Sequence, residues 1–145
     1  VLEPDGVLRR ATYEDLDALS SLDPLVPLTR DRTALMSQRI ASGECWVVER
    51  DGHVDGYVVV RGRHFFGRDF VESLVVSPRA RRRGVGRRLL GHAVKTSSTS
   101  DVFTSTNRSN RAMILLLEQG RWRLSGELEG LDEGDPELVY FTHRP

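Results

Sequence analysis

One continuous stretch, FVESLVVSPRARRRGVGRRLLGHAVKT from Phe70 to Thr96, narrows the folds open to this chain more than any other. Its first half carries apolar side chains at Phe70, Val71, Leu74, Val75 and Val76, on both faces of an extended segment. That is the pattern of a strand buried in the middle of a sheet. Ser77-Pro78 ends the strand, because proline offers no ladder donor and biases its predecessor away from helix. Val85, Leu89, Leu90, Ala93 and Val94 then recur at helical spacing, which predicts an amphipathic helix over Arg82 to Thr96. Between strand and helix lies Arg81-Arg82-Arg83-Gly84-Val85-Gly86. The first turn of a helix leaves backbone N–H groups unpaired at the positive end of its dipole. Glycines let an anion approach those donors, and six arginines between Arg79 and Arg88 add charge to the same end. Taken alone, the junction also fits a solvated basic helix start with two packing glycines.

Composition separates the remaining classes. The chain has 145 residues, enough for one domain with a real core, and at 39% hydrophobic and 29% charged it groups with globular rather than disordered sequences. The longest apolar run, Ala112 to Leu117, is far too short to span a bilayer, so no membrane association is expected. No basic-then-apolar leader opens the sequence, and a single cysteine, Cys45, fits a reducing cytoplasm. Cys45 precedes Trp46 in a strand-like run and reads as a core thiol, and the four scattered histidines give no zinc-type spacing. A formal net charge of zero argues against a general nucleic-acid binder. It hides a separation, however, since Glu127 to Glu137 holds six acids opposite the arginine cluster. Two opposed patches suit a protein that takes an anionic cofactor on one side and a cation on the other.

In chain order, Val7 to Ala11 reads as a short strand, and Thr12 caps a helix with Asp15 in a capping-box position and Leu16, Leu19 and Leu22 as its stripe. Pro24 and Pro27 break the chain before a second helix from Asp31 to Ser42, with Leu35, Met36, Ile40 and Ala41 inward. Cys45 to Arg50 and Val54 to Arg61 form strands around an Asp51-Gly52 hairpin turn, and His64 to Arg68 makes a second turn before the central strand. Val102 to Thr106 is another strand. Ser109 or Asn110 caps a further helix whose run Ala112 to Leu117 predicts deep burial. Trp122, Leu124, Gly126 and Leu128 alternate with polar residues as a half-exposed strand, and Leu138 to Thr142 closes the fold after an acidic loop.

Leu74-x-Val76-x-Pro78, two spacer residues, then Arg81-x-x-Gly84-x-Gly86 resembles motif A of the GCN5-related N-acetyltransferase (GNAT) superfamily. The order β-α-α-β-β-β-α-β-α-β-β matches that fold over nearly the whole chain. Phe103 to Asn107, Ser109-Asn110, Met113 and Leu131 to Leu138 look like a bacterial subgroup whose substrates are uncharacterised. The resemblance implies an α+β fold, a central and mostly antiparallel twisted sheet of about seven strands with flanking helices. It implies acetyl-CoA as co-substrate, no metal, and a primary amine of a small molecule as acceptor, with a homodimer left open. Arg81, Arg82, Arg83, Gly84, Val85, Gly86 and Arg87 would then hold the cofactor pyrophosphate. The backbone N–H of Leu74 would bond the thioester oxygen, the strand through Val75 and Val76 would pair with pantetheine amides, and Asn107 and Asn110 would border that arm. A backbone donor at a developing oxyanion is worth about 10²–10³ in rate.

An alkylammonium is only about one part in 10³ neutral at pH 7, so a proton acceptor is needed. Glu72 is the candidate, a lone carboxylate on an otherwise apolar strand, unless it pairs with Arg61 or His64 or sits where the strand meets solvent. In histone-acetylating relatives the base aligns with Phe70 instead. The family's usual acid tyrosine falls on Leu117, and Gly-Phe is replaced by Gly120-Arg121-Trp122. The carboxylates of Asp132 and Glu133 could draw in a cationic acceptor, or serve as ordinary turn residues. Two other functions stay open on this reading. One is a non-catalytic acyl-CoA sensor, and the other a transferase acting on a protein or an aminoacyl-tRNA.

Overall fold

The structure is a computed structural model describing residues 5–22 and 29–145. The breaks assigned to Pro24 and Pro27 lie outside the described residues. Seven strands form one sheet in the order β1-β2-β3-β4-β5-β7-β6. They are β1 (Val7–Arg10), β2 (Cys45–Arg50), β3 (His53–Phe65), β4 (Arg68–Val76), β5 (Asp101–Asn107), β6 (Arg123–Leu128) and β7 (Glu137–His143). The helices are α1 (Leu16–Ser20), α2 (Arg30–Ala41), α3 (Val85–Lys95) and α4 (Arg111–Gln119). This is the mixed α+β, mostly antiparallel architecture expected, in the expected order. β4 and β5, joined through α3, run parallel, in the register Asp69↔Val102, Phe70↔Phe103 and Val71↔Thr104.

The chain divides into two compact units, Val1–Val60 with Ser73–Leu90, and Arg61–Glu72 with Gly91–Pro145. In the first, Thr12 opens a short 3-10 turn ahead of α1, and its backbone N–H donates to Asp15 at 2.7 Å in the expected capping box. Asp15 also takes both terminal guanidinium nitrogens of Arg9, and that pair holds its carboxyl below the usual range against the opposing effect of burial. Ala11, Leu19, Met36, Ile40, Cys45, Val47, Tyr57 and Val59 form the core of this unit. Burial pushes the Cys45 thiol up to about 12, with the Asp15 charge adding to the effect, so this is the core thiol expected. Leu35 and Ala41 do not join the core. Leu35 is 42% exposed, because the buried stripe of α2 is only as wide as Met36 and Ile40.

The second unit carries a longer β3–β4 hairpin than the sequence suggested. The turn is just Phe66-Gly67, with φ of 48° and 79°, the left-handed pair of a tight hairpin. Phe70, Phe65, Phe103 and Phe141, from four strands, follow one another in that order at centroid spacings of 5.2, 5.1 and 5.6 Å. The run Ala112 to Leu117 is not deeply buried as a whole. Leu117 is fully enclosed but Leu115 is 55% exposed, since nine helical residues turn only one face inward. Leu124 and Leu128 are likewise exposed, because β6 is an edge strand and its register shifts between Leu124 and Gly126.

Asp69 is a buried carboxylate held by neutral donors. Its Oδ1 accepts Arg63 N at 2.9 Å and Ser98 Oγ at 2.8 Å, while Oδ2 accepts Ser98 N at 2.8 Å and Ser97 Oγ at 3.0 Å. Its own N–H donates to Thr99 Oγ1 at 3.0 Å. The polar connector Ser97 to Ser100 is thus fastened to β4.

Candidate active site

In the first unit, β4 ends at Val76 and a 3-10 turn over Pro78–Ala80 leads into the arginine-rich loop. The helix begins at Val85, not at Arg82 as the apolar periodicity suggested. Arg81 has φ −67°, but Arg82 and Gly84 are left-handed at φ 65° and 78°, so neither can start a helix. For Gly84 this costs nothing, whereas Arg82 bears about 1–2 kcal/mol of strain. Alternation of this kind turns successive N–H groups toward one side as an anion-binding concavity. The first helical bond runs from Arg88 N to Gly84 O at 3.0 Å, so Gly84 is the last residue before α3.

The six arginines divide by their partners. Arg79 bonds the buried Asp55 at 3.2 Å, and Arg88 donates to the carbonyls of Asp5 and Gly6 at 3.1 and 2.9 Å. Arg87 is engaged as well. Arg81, Arg82 and Arg83 are exposed, and among the described residues they hold no hydrogen bond or ion pair. Three uncommitted guanidiniums beside a left-handed turn and a helix N-terminus suit a polyphosphate.

Leu74, Val75 and Val76 are half-buried, not enclosed on both sides as the strand pattern implied. Of the nine residues of β4 only Asp69 and Val71 are buried, and these lie in the stretch that pairs with β5. Asp55 on β3 is a further site residue, absent from the sequence reading. Its carboxylate is 1% exposed and takes Arg50 Nε at 2.8 Å as well as Arg79. The readable signal was a lone acid inside an apolar strand.

In the second unit Glu72 pairs with Arg61, Nη1 to Oε1 at 3.2 Å, with both side chains about a quarter exposed. This is one of the alternatives the sequence left open. Asn107 donates its amide to Asp132 Oδ2 at 2.8 Å and to the Asp135 carbonyl at 3.2 Å. Asn110 caps α4, accepting Met113 N at 3.2 Å. Asp135 binds both the N–H and the hydroxyl of Ser109, and Arg108 N donates to Pro136 O at 2.9 Å. The acidic loop is therefore stitched to the β5–α4 connection, and Asp132 and Asn107 are fixed together. Glu133 is exposed. Leu117 lies in the core, where it offers no proton. Among the described residues no group of His, Cys, Asp or Glu is arranged to hold a metal ion, and no helix is long and apolar enough to cross a membrane.

The acetyltransferase (GNAT) family model matches residues 12–120. A GNAT-family acetyltransferase from Bacillus cereus ATCC 10987 is similar at 32% identity and a TM-score of 0.88, over 96% of this chain and 97% of that one. Ard1 from Thermoplasma volcanium shares the fold at 16% identity and TM-score 0.82, over 97% of this chain and 99% of that one. YncA from Salmonella typhimurium, solved with its cofactor acetyl-CoA, does so at 19% identity and TM-score 0.75, over 96% of this chain and 94% of its own. No curated protein matches the sequence. The chain belongs to the GNAT acetyltransferase family. Its general activity is acetyl-CoA-dependent acetyl transfer.

Proposed function

We propose that this chain is a single-domain N-acetyltransferase that passes the acetyl group of acetyl-CoA to the primary amine of a small molecule in the cytoplasm. The observation that supports it most is the junction ahead of α3, where Arg81, Arg82 and Arg83 carry no partner among the described residues around a left-handed turn. Bound acetyl-CoA supplies an activated thioester. Arg81 to Arg83 and Arg87, with the N–H groups of Gly84, Val85 and Gly86, neutralise its phosphates. Leu74 offers its N–H to the thioester oxygen, and the backbone of Val75 and Val76 borders the pantetheine arm. Asn107 and Asn110 join that border through atoms their loop and cap bonds leave over.

Glu72 takes the proton of the incoming amine, directly or through a water. Its ion pair with Arg61 fixes the carboxylate and must loosen for that transfer. Asp132 and Glu133 attract the cationic acceptor. A non-catalytic acyl-CoA sensor is the second reading, favoured by the buried, proton-less Leu117 at the usual acid position. Thiolate is a tolerable leaving group near pKa 8.5, which keeps transfer feasible without that acid.

Calorimetry with acetyl-CoA tests the site. Gly86→Val places a branched side chain on the first turn of α3 and should abolish or strongly weaken binding in a folded protein. Unchanged affinity would move the cofactor elsewhere. Steady thiol release with one member of an amine panel supports the transferase; tight binding without turnover on any amine supports the sensor.

A further inference from the structure

Building on that cofactor reading, we infer that Asp55 and Gly56 of β3 form the seat that sets the shape of the arginine loop, with Asp55 as a positioning residue acting through Arg79. Three contacts converge on these two residues. The Asp55 carbonyl accepts Ser77 N at 2.8 Å, fixing the residue that leaves β4. The Asp55 carboxylate holds Arg79 Nη2 at 3.2 Å, fixing the turn just before Arg81. At Gly56, an added Cβ would lie 2.9 Å from both the Val75 carbonyl oxygen and Val85 Cγ1, and 3.2 Å from Leu89 Cδ1. Only glycine lets the end of β4 and the start of α3 come this close to β3. Strand end, turn and helix start are thus all referenced to one dipeptide.

The chemistry of the pair explains why an acid is buried there. An isolated carboxylate enclosed to this degree would be strongly disfavoured, and two guanidiniums compensate it, Arg50 from one oxygen and Arg79 from the other. Arg50 lies at the end of β2, so one carboxylate ties the β2–β3 hairpin to the cofactor loop. Arg79 is then a tether rather than a phosphate ligand, which leaves Arg81 to Arg83 for the anion. A loop that spends only a tenth of its time in the competent shape binds about tenfold more weakly.

The test is CoA affinity by calorimetry for wild type, Asp55→Asn, Arg79→Met, Arg79→Lys and the Asp55→Asn/Arg79→Met double variant, at two salt concentrations. Asp55→Asn and Arg79→Met should each weaken binding about tenfold, the double variant should lose little more than either alone, and Arg79→Lys should recover most of the loss. The salt slope of Arg79→Met should equal that of wild type, because no phosphate contact is removed. Should Asp55→Asn fail to fold, the more exposed Arg79 carries the test through its Met and Lys variants. A shallower salt slope in Arg79→Met, with Asp55→Asn unaffected, would make Arg79 a direct ligand and overturn the inference. So would affinities unchanged in every variant. A folded wild type that binds no CoA would instead overturn the cofactor reading, and this inference with it.

Discussion

Replacing Asp69 by asparagine should be among the most damaging conservative changes in this protein. Each carboxylate oxygen of Asp69 faces one backbone N–H that cannot rotate away, Arg63 N at Oδ1 and Ser98 N at Oδ2. An asparagine must put its NH₂ at one of those two places, donor against donor. One backbone N–H is then left buried without an acceptor, at about 1–3 kcal/mol, and the surviving bonds lose their charge assistance. The sum is about 2–4 kcal/mol, or roughly 5–15 °C in Tm for a chain of this length. Burial alone would push the Asp69 carboxyl up, but the donors from Arg63, Ser98 and Ser97 prevail and hold it below its usual 3.8. A depressed carboxyl contributes stability above its unfolded pKa and loses it as pH falls through its lower folded value. Urea unfolding should therefore show a constant gap between wild type and Asp69→Asn from pH 7 to about pH 5, closing below the 3.8 reference. A gap under about 0.5 kcal/mol at pH 7, within the range of ordinary surface changes, would refute the reasoning. A gap that persists undiminished in acid would refute it equally.

Glu72→Gln should lower kcat by about 10²–10⁴ with acetyl-CoA affinity unchanged, and the acid limb of the rate profile should shift. An active Gln variant with the wild-type profile would pass the proton to solvent or substrate. Cys45, whose thiol burial pushes up to about 12, should resist iodoacetamide in the folded protein at pH 8 and react only in urea. Mass spectrometry showing rapid native labelling would contradict its enclosure.

The arginine-rich turn ahead of α3 was legible as a turn because its constraint is local. A strand stopped by Pro78, two glycines and a run of arginines leave little else for the backbone to do. The start of α3 was less so, since apolar spacing says nothing about Arg82 adopting positive φ. The turn read over His64 to Arg68 narrows to Phe66-Gly67 for the same reason, since phenylalanine is no turn former by composition yet takes positive φ here. In α4 an unbroken apolar run has no polar contrast by which to separate Leu117 from Leu115. On β6 the alternation of apolar and polar residues does not become an alternation of burial, because an edge position and a register shift are tertiary facts. Glu72 could be singled out from sequence, whereas its choice of Arg61 over His64 needed coordinates. Asp55 and Asp69 went unassigned although Asp55 is a lone acid in an apolar run and Asp69 shares its strand with only one other acid, Glu72. Their partners, Arg79 and Ser97 to Ser98, are distant in sequence.

The parallel pairing of β4 with β5 also orders events in time. The two-residue turns at Asp51-Gly52 and Phe66-Gly67 let β2, β3 and β4 zip locally, on the microsecond scale of hairpins. β5 reaches β4 only after the whole of α3 has been threaded back, the kind of non-local closure that slows folding. The Asp69 bonds to Ser97 and Ser98 fasten the end of that crossover. They act as a latch on that closure, holding the end of the crossover to β4 where β5 begins.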